Sequence, residues 1–250
     1  MAGQIGERDH SEPDALVELK NHLSSMSRPY AGGLERFRSE QREMDRATRF
    51  WDRIAERYAR QPIADEAAYQ KKLEKTREYL RPDSRVLEFG CGTGSTSILH
   101  APLVAHIEAV DISPKMLEIA RAKAESADVA NVTWTRSSIE AFDPGERRFD
   151  VVLGLSILHL VQDREAVMRK VHNMLVPGGI FVTSTACIGG RWRFLELILP
   201  IGRLLGLLPM VQFFTPTELE ASFQATDFDI EHCWQSAKDK AVFIVARRHS

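Results

Sequence analysis

Three glycines follow a five-residue strand-like run so closely that few folds can accommodate them. Arg85-Val86-Leu87-Glu88-Phe89 reads as a strand, Gly90-Cys91-Gly92-Thr93-Gly94 follows without a gap, and Ser95-Thr96 opens a short helix. Strand, glycine turn and helix make a ligand-binding bend: glycine permits a tight turn and close backbone approach, and the amides opening the next helix favour an anionic group. Two common ligands are disfavoured by the residues themselves. A dinucleotide fingerprint needs glycine where Ser95 stands, and a P-loop needs a lysine that this turn lacks.

The chain on either side of the turn constrains the fold class. After Arg81-Pro82-Asp83, short apolar runs alternate with helical patterns, the signature of a mostly parallel sheet covered by helices on both faces. The further strands are expected at His106–Val110, Asn131–Thr135, Phe149–Leu155, Gly179–Ser184, Phe228–Trp234 and Ala241–Ala246. Ser113-Pro114 supplies an N-cap and a proline at N1, Thr215-Pro216-Thr217-Glu218 reads as a capping box, and Val176-Pro177-Gly178-Gly179 is expected to end the helix Arg164–Leu175. Before the sheet, Phe50, Trp51, Ile54 and Tyr58, then Tyr69, Leu73, Tyr79 and Leu80, predict two helices broken near Gln61-Pro62. The expected organisation is a flexible arm over 1–44, a helical cap over 45–80 and one α/β domain over 81–250.

Composition narrows the function classes. At 250 residues the chain can bury a core without staples, and Cys91, Cys187 and Cys233 suggest neither a disulfide framework nor a metal site. A net charge of −2 gives no overall attraction to polyphosphate, so nucleic acid is not the expected partner. Met1 to Glu12 is polar and charged, unlike a secretory signal, and the expected location is cytoplasmic. Phe194 to Phe214 is about span length but carries Glu196, Arg203, Pro200 and Pro209, so it does not read as transmembrane.

Glu88-Phe89-Gly90-Cys91-Gly92-Thr93-Gly94 resembles motif I, E-x-G-x-G-x-G, of the class I S-adenosylmethionine-dependent methyltransferases, and the likeness runs from about Phe50 to Arg247. The resemblance implies a Rossmann-like seven-stranded sheet with an N-terminal helical cap, and S-adenosyl-L-methionine as cofactor with its amino-acid end in the glycine turn. It implies ribose recognition by Asp111, closing Glu108-Ala109-Val110-Asp111, with Ile112 and Met116 beside the adenine and Ser113 next to them. After the third strand, Ser138 stands where the family often has an aspartate for the adenine amino group, Ile139 is expected to supply apolar contact to the adenine, and Glu140 is a further cofactor-binding candidate. Phe149-Asp150-Val151-Val152-Leu153-Gly154-Leu155-Ser156-Ile157-Leu158-His159 resembles the fourth strand, with Leu155 on the methyl side, and Leu175-Val176-Pro177-Gly178-Gly179 resembles the later L-x-P-G-G turn.

The chemistry expected is transfer of a methyl group to a small, hydrophobic acceptor such as a lipid, a quinone-like aromatic or a secondary metabolite. No Asn/Asp-Pro-Pro-aromatic motif of amino-methylating nucleic-acid enzymes is present. Such a displacement requires mainly alignment and exclusion of water, and His159 is the candidate base if the acceptor carries a proton to be removed; a structural role is the alternative. Tyr58 either closes over the cofactor or packs its helix. Trp51, Trp192, Phe213 and Phe214 are candidate acceptor contacts. The Leu/Ile-rich stretch 189–214 suits an apolar lid or a transient membrane-surface contact, or plain packing. A cofactor-binding module without acceptor chemistry, and a protein or nucleic-acid methyltransferase, remain the alternatives.

Overall fold

The computed structural model describes residues 41–187, 210–237 and 240–249. The chain divides into two compact units, Met1–Asp45 and Arg46–Ser250. Of the first unit, residues 41–45 are described, and they are helical. The second opens with a helix, α1, over residues 46–60, interrupted where Pro62 removes a backbone donor. Helix α2 (Glu66–Arg77) starts at Asp65, whose carboxylate accepts from the Ala68 amide at 2.9 Å.

Seven strands form one sheet in the order β3-β2-β1-β4-β5-β7-β6. The strands are β1 (Arg85–Phe89), β2 (His106–Asp111), β3 (Val132–Arg136), β4 (Phe149–Leu155), β5 (Leu175–Thr185), β6 (Phe228–Gln235) and β7 (Val242–Arg248). β1 pairs in parallel with both β2 and β4, whereas β7 runs antiparallel between β5 and β6. The crossovers carry α3 (Ser95–His100), α4 (Pro114–Ser126) and α5 (Arg164–Met174), and α6 (Pro216–Gln224) precedes β6. α4 begins as its sequence predicts, with the Ser113 hydroxyl accepting from the Met116 amide and Pro114 in the first turn. The Thr215 capping box opens α6.

Both faces of the sheet are covered, which is why its central strands read as nearly continuous apolar runs. Leu87, Phe89, Val152 and Phe181 join Val171 of α5 and Phe223 of α6 on one face; Val86, Ile107, Leu153 and Val182 join Leu117 of α4 on the other. Among the described residues no helix is long and apolar enough to cross a membrane.

One local expectation is corrected. Val176-Pro177-Gly178-Gly179 does not lie between helix and strand: α5 ends at Met174, and Leu175 already pairs with Phe149. The register then jumps to Val151↔Ile180, so these residues form a bulge inside β5, with Gly178 at φ +71°. The fully buried Leu175 side chain pulls the strand start ahead of the proline.

The strand order reverses between β1 and β4, because β1 leads outward to β2 and β3 while β4 leads to β5. In open parallel sheets this reversal opens a crevice beyond the carboxyl ends of the two central strands. The glycine turn and Leu155 stand there.

Candidate functional site

The turn after β1 relies on glycines at backbone angles that other residues adopt only at a cost. Gly92 and Gly94 take φ +54° and +73°, and a Cβ on Gly94 would lie 2.5 Å from the Trp134 ring and 2.9 Å from the Ala120 methyl. Gly92 has room, but a side chain there would point at Tyr58, whose ring carbon lies 3.8 Å from the would-be Cβ. α1 thus brings Tyr58 over the turn, with 44% of its surface exposed.

Asp111, at the end of β2, fixes this geometry. One carboxylate oxygen accepts from the Gly92 amide at 2.8 Å and the other from the Ser113 amide at 2.8 Å, so a single side chain ties two adjacent turns. Burial raises its pKa, while the two amides oppose the rise. The Ser113 hydroxyl also donates to Asp52 of α1 at 2.6 Å, and the same Asp52 oxygen accepts from the Lys115 amide at 3.2 Å. Asp52 was not foreseen from the sequence.

Glu88 is buried below the turn and accepts from the Ser97 hydroxyl in α3. Burial pushes its carboxyl up to about 7, with Ser97 opposing and Asp111 adding to the rise. Burial first, then the Asp111 and Glu88 carboxylates, raise the Tyr58 hydroxyl. Thr93 is held from outside by Lys123 of α4, whose ammonium donates to Thr93 Oγ1 at 3.0 Å and Ser95 Oγ at 3.3 Å. That clamp was missed too, since a lysine late in an amphipathic helix reads as solvent-facing.

The remaining candidates divide. Ile112 is half-buried beside Asp111, whereas Met116 is a buried residue of α4, and Gly90 and Leu155 stand at the strand ends. Phe89 tilts against Phe181 with centroids 6.2 Å apart, and Cys91 sits in the opposite core, so these two offer the cleft backbone only. Ser138 caps its own turn by accepting from the Ala141 amide at 3.2 Å; the neighbouring Ser137 amide donates to the Asp111 carbonyl at 3.1 Å, which keeps this turn beside the β2 end. Ile139 was expected beside the adenine, yet its side chain belongs to the core with Phe142 and Leu158. Glu140 is exposed, its carbonyl accepting from Lys170.

On the β4 side, His159 lies in a turn between β4 and α5 rather than in a helix. Its carbonyl accepts from the Gln212 amide at 2.7 Å, its Nδ1 is buried without a partner among the described residues, and burial lowers its pKa to about 4. Trp51 makes edge contacts with Phe50 and Tyr58 on α1, and Phe213 is half-buried. Phe214 was expected to touch the acceptor, but it is a core residue, buried beneath the Arg164 guanidinium 4.4 Å from its ring. Trp192 and most of 189–214 lie outside the described residues.

Known proteins share both sequence and shape with this domain. The family model for a methyltransferase domain matches residues 86–179. The chain is 32% identical over 151 residues to a ubiquinone biosynthesis O-methyltransferase of Azorhizobium caulinodans, covering 58% of this chain and 59% of that protein. It therefore spans about three fifths of the length of the curated relatives it matches. Among solved structures, DhpI in complex with SAH superposes with a TM-score of 0.65 at 20% identity over 83% of this chain and 97% of that one. The [4+2]-cyclase SpnF superposes at 0.59 with 16% identity, covering 72% and 80% of the two chains, and these two likenesses speak for the fold alone. The match of residues 86–179 to a methyltransferase domain agrees with the motif, the sheet order and the switch-point crevice.

Proposed function

We propose that the protein transfers a methyl group from S-adenosylmethionine to a small, largely apolar acceptor. The observation that carries this reading is the Asp111 carboxylate bonded to the Gly92 and Ser113 amides. Each carboxylate oxygen keeps a lone pair after those bonds, so Asp111 can also accept from a ribose diol at the β2 end. The left-handed glycine turn leaves its backbone open to a ligand on the Tyr58 side, so the residues present fit the cofactor.

When bound, S-adenosylmethionine supplies an electrophilic methyl carbon. The chain's own part is to orient and to dry. Asp111 and the turn fix the adenosyl end, Ile112 offers an apolar flank, and Tyr58 with Trp51 on α1 covers the cleft from solvent. His159 is neutral at physiological pH, and its Nδ1 has no hydrogen-bond partner among the described residues. With a pKa of about 4 it is a weak base, well below the near-neutral match that general-base catalysis favours, so methyl transfer here relies mainly on alignment and exclusion of water.

The acceptor class rests on the aromatic residues of α1, on the near-neutral charge balance, and on the similarity to proteins named for ubiquinone biosynthesis O-methylation. The fold alone does not choose methyl transfer, since one structural neighbour is titled a cyclase. The test is calorimetry with S-adenosylmethionine and S-adenosylhomocysteine, followed by release of S-adenosylhomocysteine in the presence of phenolic acceptors. Binding without turnover across such a panel would reduce the protein to a binding module, and absence of binding would overturn the reading. Unchanged turnover in His159→Ala removes that side chain from the mechanism.

A further inference from the structure

The carboxyl edge of the sheet carries a second polar cluster on the far side of the switch point. Asp111 stands on β2 and the glycine turn on β1, so an adenosyl group held there lies to one side, and β4 then β5 come next in the sheet order. At those strand ends Ser156 takes φ +58°, and its amide donates to the Ser184 carbonyl at 2.6 Å, just beyond the ladder pair Leu155↔Ser184. The Ser184 side chain is only 4% exposed, and its hydroxyl accepts from Lys72 Nζ at 2.9 Å. Lys72 comes from α2, one turn beyond Tyr69 on the same helix face, and the Tyr69 hydroxyl lies 3.5 Å from Thr96 Oγ1 beside the glycine turn. One face of α2 therefore runs along the edge of the sheet from the cofactor side to the end of β5.

Lysine is an odd choice at this place. An ammonium has three protons to donate, yet among the described residues Lys72 has one hydrogen-bond acceptor and no ion pair. Asp65, the N-cap of α2, acts on it only through its field, and burial outweighs that help, lowering the affinity of Lys72 for its proton. A half-buried cation without a contacting counter-charge is costly unless a ligand brings one. The Ser184 hydroxyl, accepting from Lys72, still has its own proton to give to the same ligand atom.

We propose that Lys72 and Ser184 form a subsite for a carboxylate carried by the otherwise apolar acceptor. The inference rests on the methyltransferase reading and sharpens it: the acceptor is an amphipathic acid, held by its charged end at β5 while the remainder lies across β4 toward the methyl donor. Lys72 and Ser184 act as specificity determinants there, taking no part in the chemical step.

The test uses the full chain saturated with S-adenosylhomocysteine and titrated at pH 7.5 with 4-octyloxybenzoate and with its methyl ester. The acid should bind at least tenfold more tightly than the ester. Lys72→Met should erase that preference, Lys72→Arg should restore part of it, and Ser184→Ala should weaken it several-fold, while affinity for S-adenosylhomocysteine stays within twofold throughout. Retained S-adenosylhomocysteine binding shows that each variant is folded. Equal binding of acid and ester to the wild type, no binding of the acid, or a preference that survives Lys72→Met would each overturn the proposal. If the wild type does not bind S-adenosylhomocysteine at all, the methyltransferase reading fails, and the acid-to-ester ratio in the unliganded chain still decides the role of Lys72.

Discussion

The two sides of the switch point are built by different means. On the β1–β2 side the site is made of backbone: left-handed glycines and main-chain amides converge on Asp111, which lies 19 residues from Gly92 and 2 from Ser113. On the β4–β5 side it depends on groups brought from afar, with the Lys72 side chain reaching that of Ser184 across 112 residues and the Gln212 amide closing on the His159 carbonyl. Backbone geometry tolerates almost no substitution, whereas a side-chain pair can be exchanged for another of similar reach. A fold that keeps one cofactor and changes its acceptors has reason to be built in this way.

That contrast can be broken most severely at Gly94. Gly94→Ala places a methyl group against Trp134 and the immovable Ala120 carbon at a backbone angle unsuited to it. We expect a loss of about 3 kcal/mol or more in chemical denaturation, with S-adenosylhomocysteine binding abolished. Next comes Asp111→Ala, which strands two amides; affinity for S-adenosylhomocysteine should fall roughly 10- to 100-fold, in keeping with the loss of charge-assisted bonds, and calorimetry would measure it.

Titration separates groups by sign. Glu88, raised to about 7, binds more protons folded than unfolded, so its contribution to stability is complete below the ordinary 4.5 and is lost as pH rises toward 7. His159 and the fully buried His100, both lowered to about 4 by burial, do the opposite, so stability falls as pH drops from 6.5 toward 4. Urea midpoints taken between pH 4.5 and 6.5 should therefore rise more steeply with pH in Glu88→Gln than in the wild type, by roughly 1–2 kcal/mol over the interval. Equal slopes would refute the assignment. The smallest effect is expected at Asp52→Ala, which frees the Ser113 hydroxyl from α1: about 1 kcal/mol of stability and a few-fold in cofactor affinity, with turnover otherwise preserved.

The same contrast explains which features were legible in the sequence. β1 and β4 fall at the expected residues, and the caps at Ser113 and Thr215 form as expected, because each is specified within a few positions. The glycine turn follows β1 for the same reason, and β2 ends at Asp111. Lys72, Asp52 and Lys123 were not, since a charged residue on an amphipathic helix carries no mark distinguishing a partner in space from water. Ile139 and Phe214 failed in the reverse direction: apolar residues flanking a cleft look alike in sequence whether they face the ligand or the core. The bulge in β5 was hidden because Pro-Gly-Gly punctuates a chain without saying on which side the strand begins.

Ser113 joins three parts of the molecule through one residue. Its amide steadies Asp111, its oxygen caps α4, and its proton is given to Asp52. Any displacement of the first helix is thus felt two hydrogen bonds away at the Asp111 carboxylate, the group proposed to hold the ribose. Traffic through the mouth of the cleft and the grip on its occupant are mechanically linked, so loosening one should quicken the departure of the other.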